Sequence, residues 1–198
     1  VEEDLHPRSL AWGIVRLEQQ VRDYGPMRRR LWLPKLRGQD YVGGFHDFRI
    51  QTGGLVVFPR LRAVAESAPT GTDLAPGQIS SGIAAVDTLL GGGLDRGTSA
   101  GLIGPPGCGK STLACAFALA AARRGERAAL YLFDESIDTF RLRAASQGLD
   151  LKTPTAAGLL SLRQVEPAEL SPGELAAMLA REVESEGNRL VVVDSLSG

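Results

Sequence analysis

Residues 104–111 read Gly-Pro-Pro-Gly-Cys-Gly-Lys-Ser, a complete G-x-x-x-x-G-K-[ST] phosphate-binding loop. The octet constrains the fold because it functions only between a strand and the N-terminus of a helix. Gly104, Gly107 and Gly109 let the backbone come close to an anion, so that successive N–H groups point at it. Lys110 brings a compact positive charge to the phosphates and Ser111 offers a hydroxyl to Mg²⁺; Cys108 and Thr112 complete the loop and the helix entry. The helix that follows adds its dipole and unpaired amides. The flanks carry the required pattern. Ser99–Ile103 reads as a short buried strand, and Ser111–Arg124 as an Ala/Leu-rich helix that stops at Gly125.

Composition excludes several classes. No apolar run approaches the roughly eighteen residues of a membrane span, and a net charge of -1 gives no electrostatic footprint for nucleic acid. Cys108 and Cys115 are too few and too close for a disulfide framework, so a reducing cytoplasm is expected. Cys108 reads as an inert small residue in preference to a redox-sensitive thiol. Val1 is not a methionine and the sequence stops in an apolar segment, so an excerpt of a longer protein is expected. Lysine is rare beside arginine. Lys110 falls in the loop, Lys35 is a second candidate site, and Lys152 reads as a solvated loop residue.

Three zones are expected: 1–62, rich in β-hairpins; 63–80, a linker; and 81–198, an α/β segment. In the first, Ile14–Val21 and Arg29–Arg37 flank a turn at 23–25, and Phe48–Ile50 and Leu55–Phe58 flank Thr52-Gly-Gly54. Pro34 points to an edge strand. In the third, strands are expected at Ala128–Phe133, Leu159–Leu162 and Arg189–Asp194, alternating with helices over 137–147 and 171–186. Ser171-Pro-Gly-Glu174 is a helix start on three cues: a Ser cap, Pro in the first turn and Glu three residues after the Ser. The alternation implies a mostly parallel sheet that binds ligands at the carboxyl ends of its strands.

Asp194 ends an apolar strand, where a carboxylate fits best at the ligand edge, holding Mg²⁺ near Ser111. Asp134 and Glu135 end the neighbouring apolar run. They could activate a water, or they could be acids favoured ahead of a helix N-terminus. His6 and His46 have no metal spacing, and Trp12, Trp32 and Tyr41 read as packing residues.

Ser80-Ser-Gly-Ile83, Asp87-Thr-Leu-Leu-Gly-Gly-Gly-Leu94, the phosphate loop, Phe133-Asp-Glu135 and Val193-Asp-Ser-Leu-Ser197 together resemble the KaiC family, a branch of the RecA-like P-loop ATPases. Lys35-Leu-Arg-Gly38, Phe48-Arg-Ile50 and Gly53-Gly-Leu-Val-Val-Phe-Pro59 resemble the closing segment of a KaiC domain. The resemblance therefore implies the tail of one KaiC domain (1–62), a linker (63–80) and the head of a second (81–198). It implies an α/β RecA-like core, ATP and Mg²⁺ as cofactors, and Asp134 and Glu135 at the catalytic position. Lys35 and Arg37 would reach the nucleotide of an adjacent subunit. A homohexameric ring that acts in signal transduction with partner proteins is implied as well. In clock members the autophosphorylation sites lie further along the chain, so these residues do not bear on autokinase activity. Two alternatives stand beside the ATPase: a RecA-type DNA-handling enzyme, and a nucleotide-gated assembly switch with negligible turnover.

Overall fold

The computed structural model describes residues 10–21, 25–60 and 77–195. The chain divides into two compact units, one of residues 1–70 with 168–178, the other of 71–167 with 179–198.

In the first unit, β1 (Gly13–Gln20), β2 (Arg28–Leu36), β3 (His46–Gln51) and β4 (Gly54–Phe58) form an antiparallel sheet in that order. Alternating apolar and polar residues produce the two expected hairpins. Opposite charges meet across the first, where Glu18 lies opposite Arg30 and accepts from its guanidinium at 3.2 Å. Trp32 Nε1 donates to the same carboxylate at 3.3 Å. The second hairpin closes where Gln51 faces Gly54, and its tight turn uses Gly53 at φ 101°.

Pro34 does not mark an edge, because β2 lies between β1 and β3. Proline is tolerated there for two reasons. Register shifts between Ile14 and Arg16, so Pro34 sits at a β-bulge, and β3 pairs with β2 only at Arg30 and Leu31.

His46 and Asp47 are buried beside Phe48. His46 meets the Val42 carbonyl at 3.1 Å and accepts from Arg60 N–H at 3.2 Å. His6 lies outside the described residues. Trp32 packs on Phe45 at 5.5 Å, whereas Trp12 is 66% exposed. The same unit holds the predicted helix start. Ser171 Oγ accepts from Glu174 N–H at 3.2 Å and the Glu174 carboxylate accepts from Ser171 N–H at 2.8 Å, a reciprocal capping box.

The second unit begins with a two-stranded ribbon, β5 (Gln78–Ile79) with β6 (Leu94–Asp95), around a short helix α1 (Ala84–Leu89). Most of the expected linker lies outside the described residues, but its end belongs to β5. A parallel sheet follows. β7 (Ala128–Leu132) is central, flanked by β8 (Leu160–Gln164) and β9 (Leu190–Asp194). All five residues of β7 are buried, which explains their unbroken apolar run. Helix α2 (Lys110–Arg123) buries Cys115–Ala122 continuously, and its small side chains allow close approach to the sheet. Helix α3 (Ile137–Ser146) adds Phe140 and Ala144 to this core, with Leu119, Leu130, Leu132 and Leu160. Each large apolar side chain so buried contributes roughly 1.5–3 kcal/mol.

Lys152 is not in a loop. It opens α4 (Lys152–Ala156), whose first N–H groups bond Asp150 Oδ1 at 2.9 and 3.2 Å. Helix α5 (Pro172–Glu184) precedes β9.

The strand expected at Ser99–Ile103 is absent: these residues have no regular structure and all are exposed, Ile103 at 98%. The run contains one Leu and one Ile among Ser, Ala and Gly, so its own burial gains little. A parallel strand of that kind is held by neighbours on both sides. Among the described residues no strand lies beyond β9 to enclose it.

Candidate functional site

The phosphate loop is built at the N-terminus of α2. Gly109 is the helix N-cap at φ 96° and Gly107 stands at φ 80°, both in the left-handed region that glycine adopts without strain. A Cβ on Gly104 would lie 2.5 Å from Cys108 Sγ, so a side chain there would have to displace the cysteine. Leu113 N–H donates to the Gly109 carbonyl at 2.9 Å, the first turn of the helix. Lys110, Ser111 and Thr112 therefore carry the leading amides, which in any α-helix have no partner one turn back. Lys110 curls over the loop and donates Nζ to the carbonyls of Gly104 and Pro105 at 2.8 and 3.0 Å. A cation and convergent amides at one helix end make a donor set that fits a polyphosphate.

The acids gather at the carboxyl edge of the sheet. Leu132 of β7 is in register with Asp194 of β9, and Phe133 N–H continues the ladder to the Asp194 carbonyl at 2.8 Å. Asp134 follows immediately, and its Oδ2 accepts the hydroxyl of Ser195 at 2.6 Å. Asp194 is half-buried and Asp134 exposed. Glu135, also half-buried, is ion-paired with Arg143 of α3. Ser136 caps α3, accepting from Thr139 N–H at 3.2 Å, so the two acids also stand just ahead of a helix N-terminus.

A small cleft lies between α2 and α3. Ser111, Thr112, Phe140, Arg143 and Gln147 line it. Thr112 Oγ1 donates to Gln147 Oε1 at 2.9 Å, tying the loop helix to the C-cap of α3. Cys115 also lines the cleft. Burial pushes that thiol up to about 11, against the opposing charge of Arg143, so it is a packing group and not a nucleophile. Cys108 is exposed in the loop, and both cysteines are free thiols.

Among the described residues no group of three His, Cys, Asp or Glu side chains could hold a metal ion. One hydroxyl, Ser111, and one carboxylate, Asp194, are a donor set suited to Mg²⁺, which takes few protein ligands and completes its shell with phosphate and water. Lys35 and Arg37 lie in the first unit, Lys35 half-buried near the end of β2 and Arg37 exposed just after it. Partial desolvation, then the neighbouring Arg37 charge, lowers the Lys35 pKa.

Sequence reasoning passed over Arg143, Gln147 and the pairing of Ser195 with Asp134. Arg143 stands seven residues after the Ser136 cap, two turns along the helix. That spacing brings it back over Glu135 only once the helix start is fixed.

A glycine loop at a helix N-terminus, with parallel strands ending on acids beside it, defines a RecA-like P-loop ATPase core. Sequence comparison narrows the class. The family model described as "ATPase: KaiC" matches residues 79–198, more than half of the chain. The circadian clock oscillator protein KaiC of Picosynechococcus sp. is 30% identical over 172 residues, 86% of this chain and 32% of that protein. KaiC 1 of Synechocystis sp. and KaiC of Synechococcus elongatus are 29% and 27% identical over the same shares. The chain belongs to the KaiC family of ATPases, and it spans about a third of the length of these relatives.

Proposed function

We propose that this chain carries one phosphate-binding loop and its acids from an ATP-hydrolysing, ring-forming KaiC-like regulator that acts in signal transduction. The observation that supports it best is the ladder bond from Phe133 to Asp194, which joins the acid-bearing tips of β7 and β9. Gly104, Gly107, Cys108, Gly109, Lys110, Ser111 and Thr112 bind the ATP phosphates through backbone amides and the Lys110 charge. Ser111 and Asp194 hold Mg²⁺, which when bound supplies positive charge against the phosphate oxygens.

Asp134 is the base. Ser195 occupies its Oδ2, which leaves Oδ1 to take the proton of the attacking water. The water oxygen bonds to the γ-phosphorus as the bond to the ADP oxygen breaks, and Lys110 stabilises the charge that develops. Glu135 is engaged by Arg143 and supports the site from beside the base.

Residues 1–62 and 81–198 are, in this reading, the end of one KaiC domain and the start of another. Lys35 and Arg37 then stabilise a nucleotide bound by a neighbouring subunit, as fixed cations do for a transferring phosphoryl group. A homohexamer with signalling partners in the cytoplasm belongs to this reading, and membership of the same family as proteins named circadian clock oscillators supports it. No helix among the described residues is long and apolar enough to cross a membrane.

The test is ATP turnover of the full-length protein against Lys110→Ala, Asp134→Asn and Glu135→Gln. Turnover should vanish in Lys110→Ala and fall by a factor of about 100 or more in Asp134→Asn. Turnover unchanged by Lys110→Ala would overturn the assignment. Equal, negligible turnover in all variants with ATP still bound would make the protein a nucleotide-gated switch.

A further inference from the structure

The two acids at the tip of β7 are adjacent in sequence but held by different elements. Asp134 takes the hydroxyl of Ser195 beside Asp194, while Glu135 is drawn to Arg143 on α3. The Arg143 guanidinium is fixed on two sides: it pairs with Glu135 and lies over the Phe140 ring at 5.2 Å. Phe140 is 2% exposed and part of the core, so this platform does not move independently of the fold. Arg143 also faces the cleft that Ser111 and Thr112 line, and α3 is tied to the loop helix by the Thr112–Gln147 bond. The arginine thus connects the second acid to the helix that carries the phosphate loop.

Charge gives this connection a purpose. Asp134, Glu135 and Asp194 bring three carboxylates to one sheet edge, and a nucleoside triphosphate brings several more negative charges. Like charges at such distances disfavour one another, and the penalty grows as water is excluded. We propose that Arg143 is a positioning residue acting through Glu135: it pins that carboxylate against α3 and cancels its charge, so that of the adjacent pair only Asp134 is presented to the polyanion. The inference rests on the acid pair serving a bound nucleotide, as in the preceding section.

A double-mutant cycle tests it in the full-length protein, with Arg143→Ala, Glu135→Gln and their combination. Two quantities are read for each: the dissociation constant of a non-hydrolysable ATP analogue with Mg²⁺, and kcat with KM for ATP. Arg143→Ala alone should weaken analogue binding and lower kcat, each by roughly tenfold, the scale of coupling between directly paired residues. In the Glu135→Gln background the same substitution should change neither. An equal loss in both backgrounds would overturn the proposal, because Arg143 would then act on the nucleotide or the fold by itself. So would no loss in either.

Thermal unfolding is followed throughout. If Arg143→Ala does not fold, Arg143→Gln, which keeps the side-chain length and removes the charge, repeats the cycle with the same expectations. If the wild type binds the analogue but does not hydrolyse ATP, the hydrolysis reading fails, and the binding half of the cycle still decides the role of the arginine. A wild type that binds no analogue overturns both.

Discussion

Ser195 donates its hydroxyl to Asp134 Oδ2 at 2.6 Å, joining the residue after the last acid of β9 to the first acid after β7. Each residue stands just beyond a strand end, where chain direction changes and side-chain aim is weakly determined by the sheet. The bond supplies the missing constraint. Ser195→Ala should leave nucleotide binding nearly unchanged and lower kcat by about tenfold, the value of one hydrogen bond to a charged group expressed as rate. Steady-state kinetics reads this as a change in kcat at constant KM.

The two ends of α2 separate conformational strain from function. Gly109 begins the helix at φ 96° and Gly125 follows its end at φ 78°, and a Cβ on either would meet nothing within 4 Å. Alanine at each should therefore cost a similar, modest amount of stability, about 1–2 kcal/mol, from the left-handed backbone alone. Only Gly109→Ala should weaken ATP binding, by tenfold or more, because only it turns the leading amides away from the phosphates. Calorimetric melting and equilibrium nucleotide binding of the two variants make the comparison.

Where the sequence was legible, one physical signal dominated each element. The unbroken apolar run of β7, the capping box at Ser171 and Glu174, and the glycine turn at Thr52-Gly53 each admit one local structure, and each is present. The phosphate loop was readable because its spacing encodes its geometry. Ser99–Ile103 was not, since an interior strand is stabilised by neighbours that its own residues do not specify. Pro34 misled for a related reason: its missing N–H marks any unpaired position, and a bulge supplies one as well as an edge does. The Arg143–Glu135 and Ser195–Asp134 pairs were illegible because each links residues that only the folded sheet and helix bring together.

Tyr131 of β7 and Glu182 of α5 form a buried polar pair that should govern the stability of the second unit. Glu182 is 3% exposed, accepts from Tyr131 Oη and Asn188 Nδ2 at 2.6 Å each, and is ion-paired with Arg163 Nε at 2.6 Å. Burial first, and then this bond to a carboxylate, raise the Tyr131 pKa. Tyr131→Phe removes one of the two hydrogen-bond donors to Glu182 and should destabilise by about 1–2 kcal/mol. Glu182→Ala strands the remaining donors and opens space, and should cost about 3–5 kcal/mol. Chemical denaturation of the two variants should rank them in that order. An equal loss would mean that the tyrosine hydroxyl carries the whole network.

Asp47 gives the first unit a sensitivity to acid. Its carboxylate is 5% exposed, and burial alone would push the pKa up. Two bonds from Arg28, at 2.7 and 3.0 Å, and one from Gly173 N–H at 2.9 Å outweigh that effect and hold it below the ordinary aspartate value. A carboxylate whose pKa is lowered by folding contributes stability that is complete above the unfolded value and disappears as pH falls through the folded one. The unit should therefore hold its structure through pH 4–5 and lose stability progressively below about 3.9, the ordinary aspartate value. Both tryptophans, Trp12 and Trp32, lie in this unit, so their fluorescence reports on it without labels. Asp47→Asn should cost about 1.5–3 kcal/mol at neutral pH, the value of hydrogen bonds to a charged partner. It should also flatten the acid transition, because the group that titrates has been removed. A variant with the same acid dependence as wild type would place the controlling carboxylate elsewhere.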